Sequence, residues 1–311
     1  MRLRLLLPLC VLLPLLLWQG VAHACQVCVV SSAKTQAFQE AFDSLGQEME
    51  RMGLQRNSVA LLNVQAFQEG SSALQNARLV ITLGTDALRQ VSQRNTRLPV
   101  LAALVPRQSF ERILSETGRR SASGTSALFL DQPLARQLEL LRLALPQARR
   151  VGVLWGPESI AQQGAVSSAL HTHGLELREA TFGDGQNLSV ALQAALQETD
   201  VLLQVADASV YNTATVSNVL LTSYRAKVPV LAYSAAYVKA GALLSVYSTA
   251  IQAGVQLAAM AAQVLQGGGL PLAQYPNDFT ITVNDYVARS LGLKLDAKAL
   301  TDTLQRGERR P

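Results

Sequence analysis

The chain has 311 residues, 49% of them hydrophobic and 5% aromatic, with a formal net charge of +5. That length is enough for two domains with cores of their own. The positive residues are scattered and aromatics are few, which excludes a nucleic-acid interface built on a basic stripe interleaved with aromatics.

Residues 1–24, MRLRLLLPLCVLLPLLLWQGVAHA, place two arginines before an apolar run that ends at Ala22-His23-Ala24. A basic n-region, an h-region and an A-x-A site in that order read as a secretory signal peptide. The alternative is an uncleaved membrane anchor, for which the run is short. Without Arg2 and Arg4 the formal charge falls from +5 to +3. No other segment is long and apolar enough to cross a membrane. Cys10 leaves with the leader, so Cys25 and Cys28 remain. Their C-x-x-C spacing lacks the second cysteine pair or nearby histidine that a zinc site needs. Residues three apart in a strand lie roughly 10 Å apart, and a disulfide needs Cα atoms within about 7 Å. Cys28 therefore reads as a buried core thiol. A disulfide to a frayed Cys25, and a lipid on Cys25 as the mature N-terminus, are the alternatives. The segment before Cys25 lacks the usual leucine of a lipoprotein box.

In chain order, QVCVV is a first buried strand ending at Ser31-Ser32, and residues 35–52 have apolar positions at helical spacing, closed by Gly53. Residues 58–64 read as a second strand, with a helix of small residues to Ala77. LVITL is the third strand, running into Gly84-Thr85-Asp86 and a short helix. PVLAAL centres the fourth. The polar stretch SETGRRSASGTS reads as a surface loop, followed by ALFL as a crossing strand and a helix over residues 133–145. The pattern then repeats. RVGVLW is a strand, Gly156-Pro157-Glu158-Ser159 a turn, and residues 160–173 a helix; residues 175–181 are a strand and 188–198 a helix. VLLQV, a helix over 209–225, the strand at 228–233, a small-residue turn and the strand at 242–247 follow. A helix over 252–265 ends in Gly267-Gly268-Gly269, a cap and linker, since a phosphate cradle would lead into a helix. FTITV is a last strand, residues 285–291 a last short helix, and 306–311 a disordered tail. Apolar strands alternating with helices imply an α/β chain of two doubly wound parallel-sheet lobes.

The runs VPVLAYSAAYVKAGALLSVYS and FTITVNDYVARSLGLKL, with RVGVLWGPES and LVITLGTDAL, are similar to the ABC-transporter substrate-binding family of the type I periplasmic-binding fold. The resemblance spans residue 26 to about residue 304. It implies two lobes joined by three crossing strands, near residues 127–130, 245–247 and 276–280, with a small molecule held between them. Lobe I would take residues 25–127 plus 248–275, and lobe II residues 128–247 plus 276–305.

Ligands of parallel sheets sit beyond the carboxyl ends of the strands. The resemblance places Ser31, Ser32, Gly84 and Thr85 at the cleft from lobe I. From lobe II it places Trp155, Glu158, Ser159, Asp207, Tyr211 and Ser234 there, with Tyr247 at the hinge. Gly84 lets backbone approach a ligand, while Thr85 and Ser159 offer hydroxyls that equally suit helix caps. Helix N-termini facing one cleft favour an anion. Tyr211, Tyr233, Tyr237 and Tyr247 fit either an aromatic wall or half-buried packing. Asp207 suits a cationic or hydroxyl-bearing group, or a helix cap. Amino-acid-binding relatives carry Thr-Asp-Asn where this chain has Ala206-Asp207-Ala208. They carry Gly-x-Asp-Tyr where it has Ser245-Val246-Tyr247-Ser248, so the aspartate that would meet an amino group is missing.

Enzyme readings fall short. Ser31-Ser32-Ala33-Lys34 has S-x-x-K spacing without the S-D-N and K-T-G elements that accompany it. His171 and His173, two apart, do not share a helix face. No G-x-S-x-G, H-E-x-x-H, Walker or dinucleotide motif occurs. The expectation is a binding protein with no cofactor and no bound metal, located in the periplasm. Its partner is an inner-membrane ABC permease or, in the alternative, a membrane sensor protein.

Overall fold

The computed structural model describes residues 26–54, 58–70, 74–94, 97–119, 124–183 and 185–308. The leader, the A-x-A site and Cys25 lie outside them.

The chain opens with β1 (Val27–Ser31), α1 (Gln36–Arg51), β2 (Val59–Asn63), α2 (Val64–Gln68), β3 (Leu79–Leu83), α3 (Thr85–Gln93), β4 (Val100–Val105), α4 (Arg107–Thr117) and β5 (Thr125–Phe129). These strands form an all-parallel sheet in the order β2-β1-β3-β4-β5. Every residue of β1 and β3 is buried, because helices cover both faces and leave no side of a central strand for water. Alternate residues divide between the faces. Val27, Val29, Leu79 and Ile81 pack beneath α1, whereas Cys28, Val30 and Val80 pack against Leu88 of α3 and Phe110 of α4.

The second lobe begins with α5 (Leu134–Ala144) and β6 (Arg150–Trp155), then a 3-10 turn (Ile160–Gln162) that leads into α6 (Gln163–Thr172). There follow β7 (Glu176–Thr181), α7 (Leu188–Leu196), β8 (Val201–Leu203), α8 (Val216–Arg225), β9 (Val230–Ala232), α9 (Ala235–Ala240) and β10 (Leu244–Tyr247). The chain then makes α10 (Ala250–Leu265), β11 (Thr280–Val283), α11 (Asp285–Ser290) and α12 (Ala297–Glu308). The second sheet runs β11-β10-β9-β8-β6-β7, parallel except for the antiparallel edge strand β11.

Although α10 follows the second lobe in sequence, it packs in the first lobe's core, with Leu257 and Ala261 beside Leu45 and Met49 of α1. Thr249 and Gln252 start α10 with a reciprocal capping box. Gly254 sets the closeness of this pair, since a Cβ there would lie 2.0 Å from Ser44 Oγ and 2.4 Å from the Ala41 carbonyl.

Three short crossings join the lobes and are tied to one another. Gln132, on the first, donates through Nε2 to Ser248 Oγ on the second (2.9 Å), and Ser248 Oγ donates to the Asp278 carbonyl on the third (2.5 Å). Arg136 of α5, 7% exposed, donates to Gln132 Oε1 (2.7 Å) and the Pro276 carbonyl (2.9 Å). Glu308 accepts from the same guanidinium at Nε (2.5 Å) and Nη2 (2.9 Å).

This last pair corrects the expected tail. Residues 306–308 are the last turn of a helix anchored at the hinge, while 309–311 lie outside the described residues. The first crossing falls later than expected, since Ala127, Leu128 and Phe129 belong to β5, paired to β4, and the chain crosses after them. The helix expected from residue 209 starts at Val216. Asp207 and Asn212 claim the backbone N–H groups of Ser209, Ala214 and Thr215, and such side-chain bonds compete with helix. The turn expected after β9 contains α9.

Candidate functional site

The chain leaves β5 and β10 at their carboxyl ends to cross between lobes, so the carboxyl edges of the two sheets face each other. The loops that follow β1, β3, β4, β6, β8 and β9 therefore border one cleft, where ligands of such sheets bind. Among the described residues, a side-chain bond spans it. Gln162 Nε2, in the 3-10 turn after β6, donates to Gln108 Oε1 in the first turn of α4 (3.0 Å). The α4 loop is shaped for this approach, because β4 is bulged between Ala103 and Val105 and Leu104 sits at φ 55°.

On the first-lobe side, Ser31 is buried and its hydroxyl donates to the Ala33 carbonyl (2.6 Å). Ser32 Oγ accepts from the Ala87 N–H (2.8 Å), so the cap of α3 comes from the neighbouring loop. Gly84 takes φ 90°, and a Cβ there would meet Phe38 and Ser32 Oγ at 2.7 Å. Thr85 is the first residue of α3 and half-buried. The cap expected of it is supplied by Ser32, and its hydroxyl has no protein partner among the described residues.

The second-lobe side is far more tightly bonded. Asp207 is 2% exposed. Its Oδ2 accepts from the Glu158 N–H (3.0 Å), the Ser159 N–H (2.8 Å) and Ser159 Oγ (2.8 Å). Its Oδ1 accepts from the Ser209 N–H (2.9 Å) and Ser209 Oγ (2.5 Å). Gly156 N–H donates to Ser159 Oγ (3.0 Å), and Glu158 Oε2 accepts from the Ala208 N–H (3.2 Å). Glu158, Ser159 and Asp207 thus converge as expected, but as one network that fastens the β6 loop to the β8 loop. Asp207 spends its lone pairs on the fold, and Ser159 is a strut instead of a helix cap. Trp155 is fully buried in the core beside Leu138 and Val201, and its indole N–H donates to Glu179 (2.7 Å). It supports the loop from below and offers no surface to the cleft.

Tyr211, Tyr233 and Tyr237 form an edge-to-face cluster with centroids 4.9–6.3 Å apart. Tyr233 donates to Tyr237 Oη (2.8 Å), which donates to the Tyr211 carbonyl (2.8 Å). Burial pushes the Tyr211 and Tyr233 hydroxyls well above the usual phenol range, keeping them protonated. Ser234 is half-buried and makes no cap bond to α9. Tyr247 stands apart beside the hinge, with its hydroxyl 3.1 Å from Thr282 Oγ1.

Sequence reasoning passed over Gln204. It follows the last residue of β8, is 1% exposed, and neither of its amide atoms has a partner among the described residues. A cavity of about 450 Å³ opens on the first lobe's flank, bordered by Lys34, Phe38, Leu61 and Asn63. It adjoins Ser31 and lies away from the second-lobe loops.

Two α/β lobes joined at three tied crossings, with their strand ends facing across a cleft, have the type I periplasmic-binding-protein architecture. The profile of the ABC transporter substrate binding protein family matches residues 32–305, and the chain belongs to that family. A conserved domain protein from Vibrio cholerae shares the fold at 20% identity, covering 89% of this chain and 97% of that one, with a TM-score of 0.63. An ABC domain from Streptococcus pneumonia in complex with L-Trp does so at 16% identity, covering 88% and 98%, with a TM-score of 0.60. A ligand-free, open substrate-binding protein with adhesive properties from Clostridium difficile matches at 16% identity over 88% and 96%, with a TM-score of 0.69. Likeness at these identities speaks to fold alone. No curated protein matches.

Proposed function

We propose that this protein is a periplasmic solute-binding protein that traps one small molecule between its lobes and delivers it to an inner-membrane ABC permease, without chemical turnover. The observation that carries this reading is the facing of two sets of strand-end loops across a tied hinge, bridged by Gln162 and Gln108. The leader read from the sequence supports export as a soluble periplasmic protein after cleavage, with a lipid on Cys25 as the alternative.

The rigid second-lobe loops and the Thr85 hydroxyl form opposite jaws. Closure removes both from water, where an unpaired polar group costs about 1–3 kcal/mol and so selects a solute that pairs it. Micromolar affinity needs about −8 kcal/mol, within reach of a few such bonds plus one aromatic contact after the entropy of association. The relative from Streptococcus pneumonia holds L-Trp. In this chain the Asp207 carboxylate is committed to its own loops, so an α-amino group finds no free acid there.

A thermal-shift screen of amino acids, purines, vitamins and small carboxylates tests the reading. A binder at about 100 times its Kd stabilises by about 2.7 kcal/mol, and X-ray scattering should show the radius shrinking. If no solute of any class moves the melting temperature, the reading fails.

A further inference from the structure

We propose that Gln204 is a specificity-determining residue of this cleft and selects an uncharged solute with an adjacent donor and acceptor, such as a carboxamide or cyclic imide. The proposal rests on the solute-binding reading above.

Gln204 sits just beyond β8, an interior strand of the second sheet between β6 and β9, at the edge that faces the first lobe. Its backbone N–H continues the ladder to the Leu231 carbonyl (2.9 Å), so its place is fixed. Side chains alternate along a strand, which puts Gln204 on the same face as Leu202, the face covered by Val210, Tyr211 and Val219. There the amide is enclosed, and both Oε1 and Nε2 lack a partner among the described residues. Three further buried hydroxyls without partners among the described residues belong to this face: that of Tyr211, that of Ser223 on α8 one turn after Val219, and that of Ser245 on β10, opposite Ala232 of β9.

Native proteins pair nearly all buried side-chain polar atoms, and a wholly unpaired amide weakens the fold that carries it. Departures from such rules concentrate where function uses them. The chemistry of the group defines its partner. An amide holds an acceptor and two donors in one plane, so it meets another amide or an imide edge with two parallel hydrogen bonds. The Asp207 carboxylate, three residues on, is saturated by its own loops. The Tyr211 hydroxyl stays protonated because burial raises its pKa. A neutral site of this kind rejects analogues that lack the matching bonds. The lobes touch through Gln162 and Gln108, and Gln204 lies at the carboxyl end of β8, the sheet edge turned toward the first lobe.

The test uses the full mature chain, matched probes and two variants. Nicotinamide is compared with nicotinate, benzamide with benzoate, and uracil serves as the imide. An amide or imide should raise the melting temperature while its acid counterpart does not. Gln204→Met should raise the melting temperature of the unliganded protein, because it removes unpaired polar atoms, and weaken the bound probe at least tenfold. Gln204→Glu should bind poorly at about pH 7 and recover as pH falls, because burial raises its pKa and the protonated carboxyl restores one donor and one acceptor.

Equal or tighter binding of the acid counterparts overturns the proposal. So does a Gln204→Met protein that melts lower without ligand and binds the probe as wild type does, which makes the amide a structural group. If only solutes without an amide or imide bind, amide selection falls while the solute-binding reading stands. If no solute binds at all, both fall.

Discussion

The strand-end loops of the two lobes are built to opposite plans. In the second lobe, one buried carboxylate, Asp207, accepts from Glu158, Ser159 and Ser209 and makes a single body of two loops. In the first, the loops after β1 and β3 are linked by the Ser32 cap on Ala87, one backbone bond from Ser32 to Leu83, and the close packing of Gly84. A polar residue at a strand end is therefore ambiguous until its bonds are counted. Asp207 has every lone-pair direction occupied, whereas Thr85 in the first lobe and Gln204 in the second have unspent hydrogen-bonding capacity.

Removing the centre of the second-lobe network should have the largest effect on stability. Asp207→Ala leaves three backbone N–H groups and two hydroxyls without their acceptor, each worth about 1–3 kcal/mol if it stays buried. Because the loops can relax toward water, the expected loss is about 3 kcal/mol, read as a lower urea midpoint. An unchanged midpoint with lost ligand affinity would break the comparison and return Asp207 to the ligand. The first lobe's counterpart is Gly84→Ala. The substitution forces φ 90° on an L residue and drives a Cβ to 2.7 Å from both Phe38 and Ser32 Oγ, for a cost of about 2 kcal/mol. Gly46→Ala, in the middle of α1 with nothing within 4 Å of the added Cβ, should instead stabilise by about 0.5–1 kcal/mol.

The strands were legible because central parallel strands are apolar on both faces, as VCVVS and LVITL are. The family pattern then ordered them into two lobes. The start of α8 was misread because helical periodicity continues through residues 209–215, where Asp207 and Asn212 capture the backbone. The tail was misread because Arg306 and Glu308 look solvated in sequence, and the buried partner of Glu308, Arg136, lies 172 residues away. At the site, the loops were legible but the division of labour was not. Asp207 drew attention as a lone acid, while Gln204 reads as the end of an apolar run. A glutamine inside a buried strand pattern is the signal that was available.

A second carboxylate in the same lobe sharpens the contrast between clamp and ligand group. Asp200 joins the amino ends of β6 and β8, the edge away from the cleft. It accepts from Arg150 Nη2 (2.8 Å) and from the N–H groups of Arg149 and Arg150 (2.9 Å each). The Arg150 hydrogen bond is the main cause that holds its pKa at about 2, below the usual aspartate range. A carboxylate with a depressed folded pKa stabilises the fold above its unfolded pKa of about 4, and that contribution fades as pH falls toward 2. Both side chains are partly exposed and screened by solvent, so the contribution is small. Asp200→Asn should lower the urea midpoint at about pH 7, and the difference from wild type should shrink steadily as pH falls from about 4 toward 2.

The smallest stability effect is expected at Thr85, and it decides whether the first-lobe loop is for binding. Thr85 begins α3, but Ser32 already accepts from the Ala87 N–H that a capping group would serve, so the threonine hydroxyl supports no part of the fold. Thr85→Val keeps the shape and removes the hydroxyl. Stability should stay within about 0.5 kcal/mol, while affinity for a cleft ligand falls about tenfold, or about 1.4 kcal/mol. Ser32→Ala is the complementary change, deleting the cap at a cost of about 1 kcal/mol while the Thr85 hydroxyl remains. Calorimetric titration and melting of the two variants separate the roles. If Thr85→Val destabilises as much as Ser32→Ala and binds ligand as wild type does, the first-lobe loop is scaffold like its counterpart, and recognition rests with the second lobe.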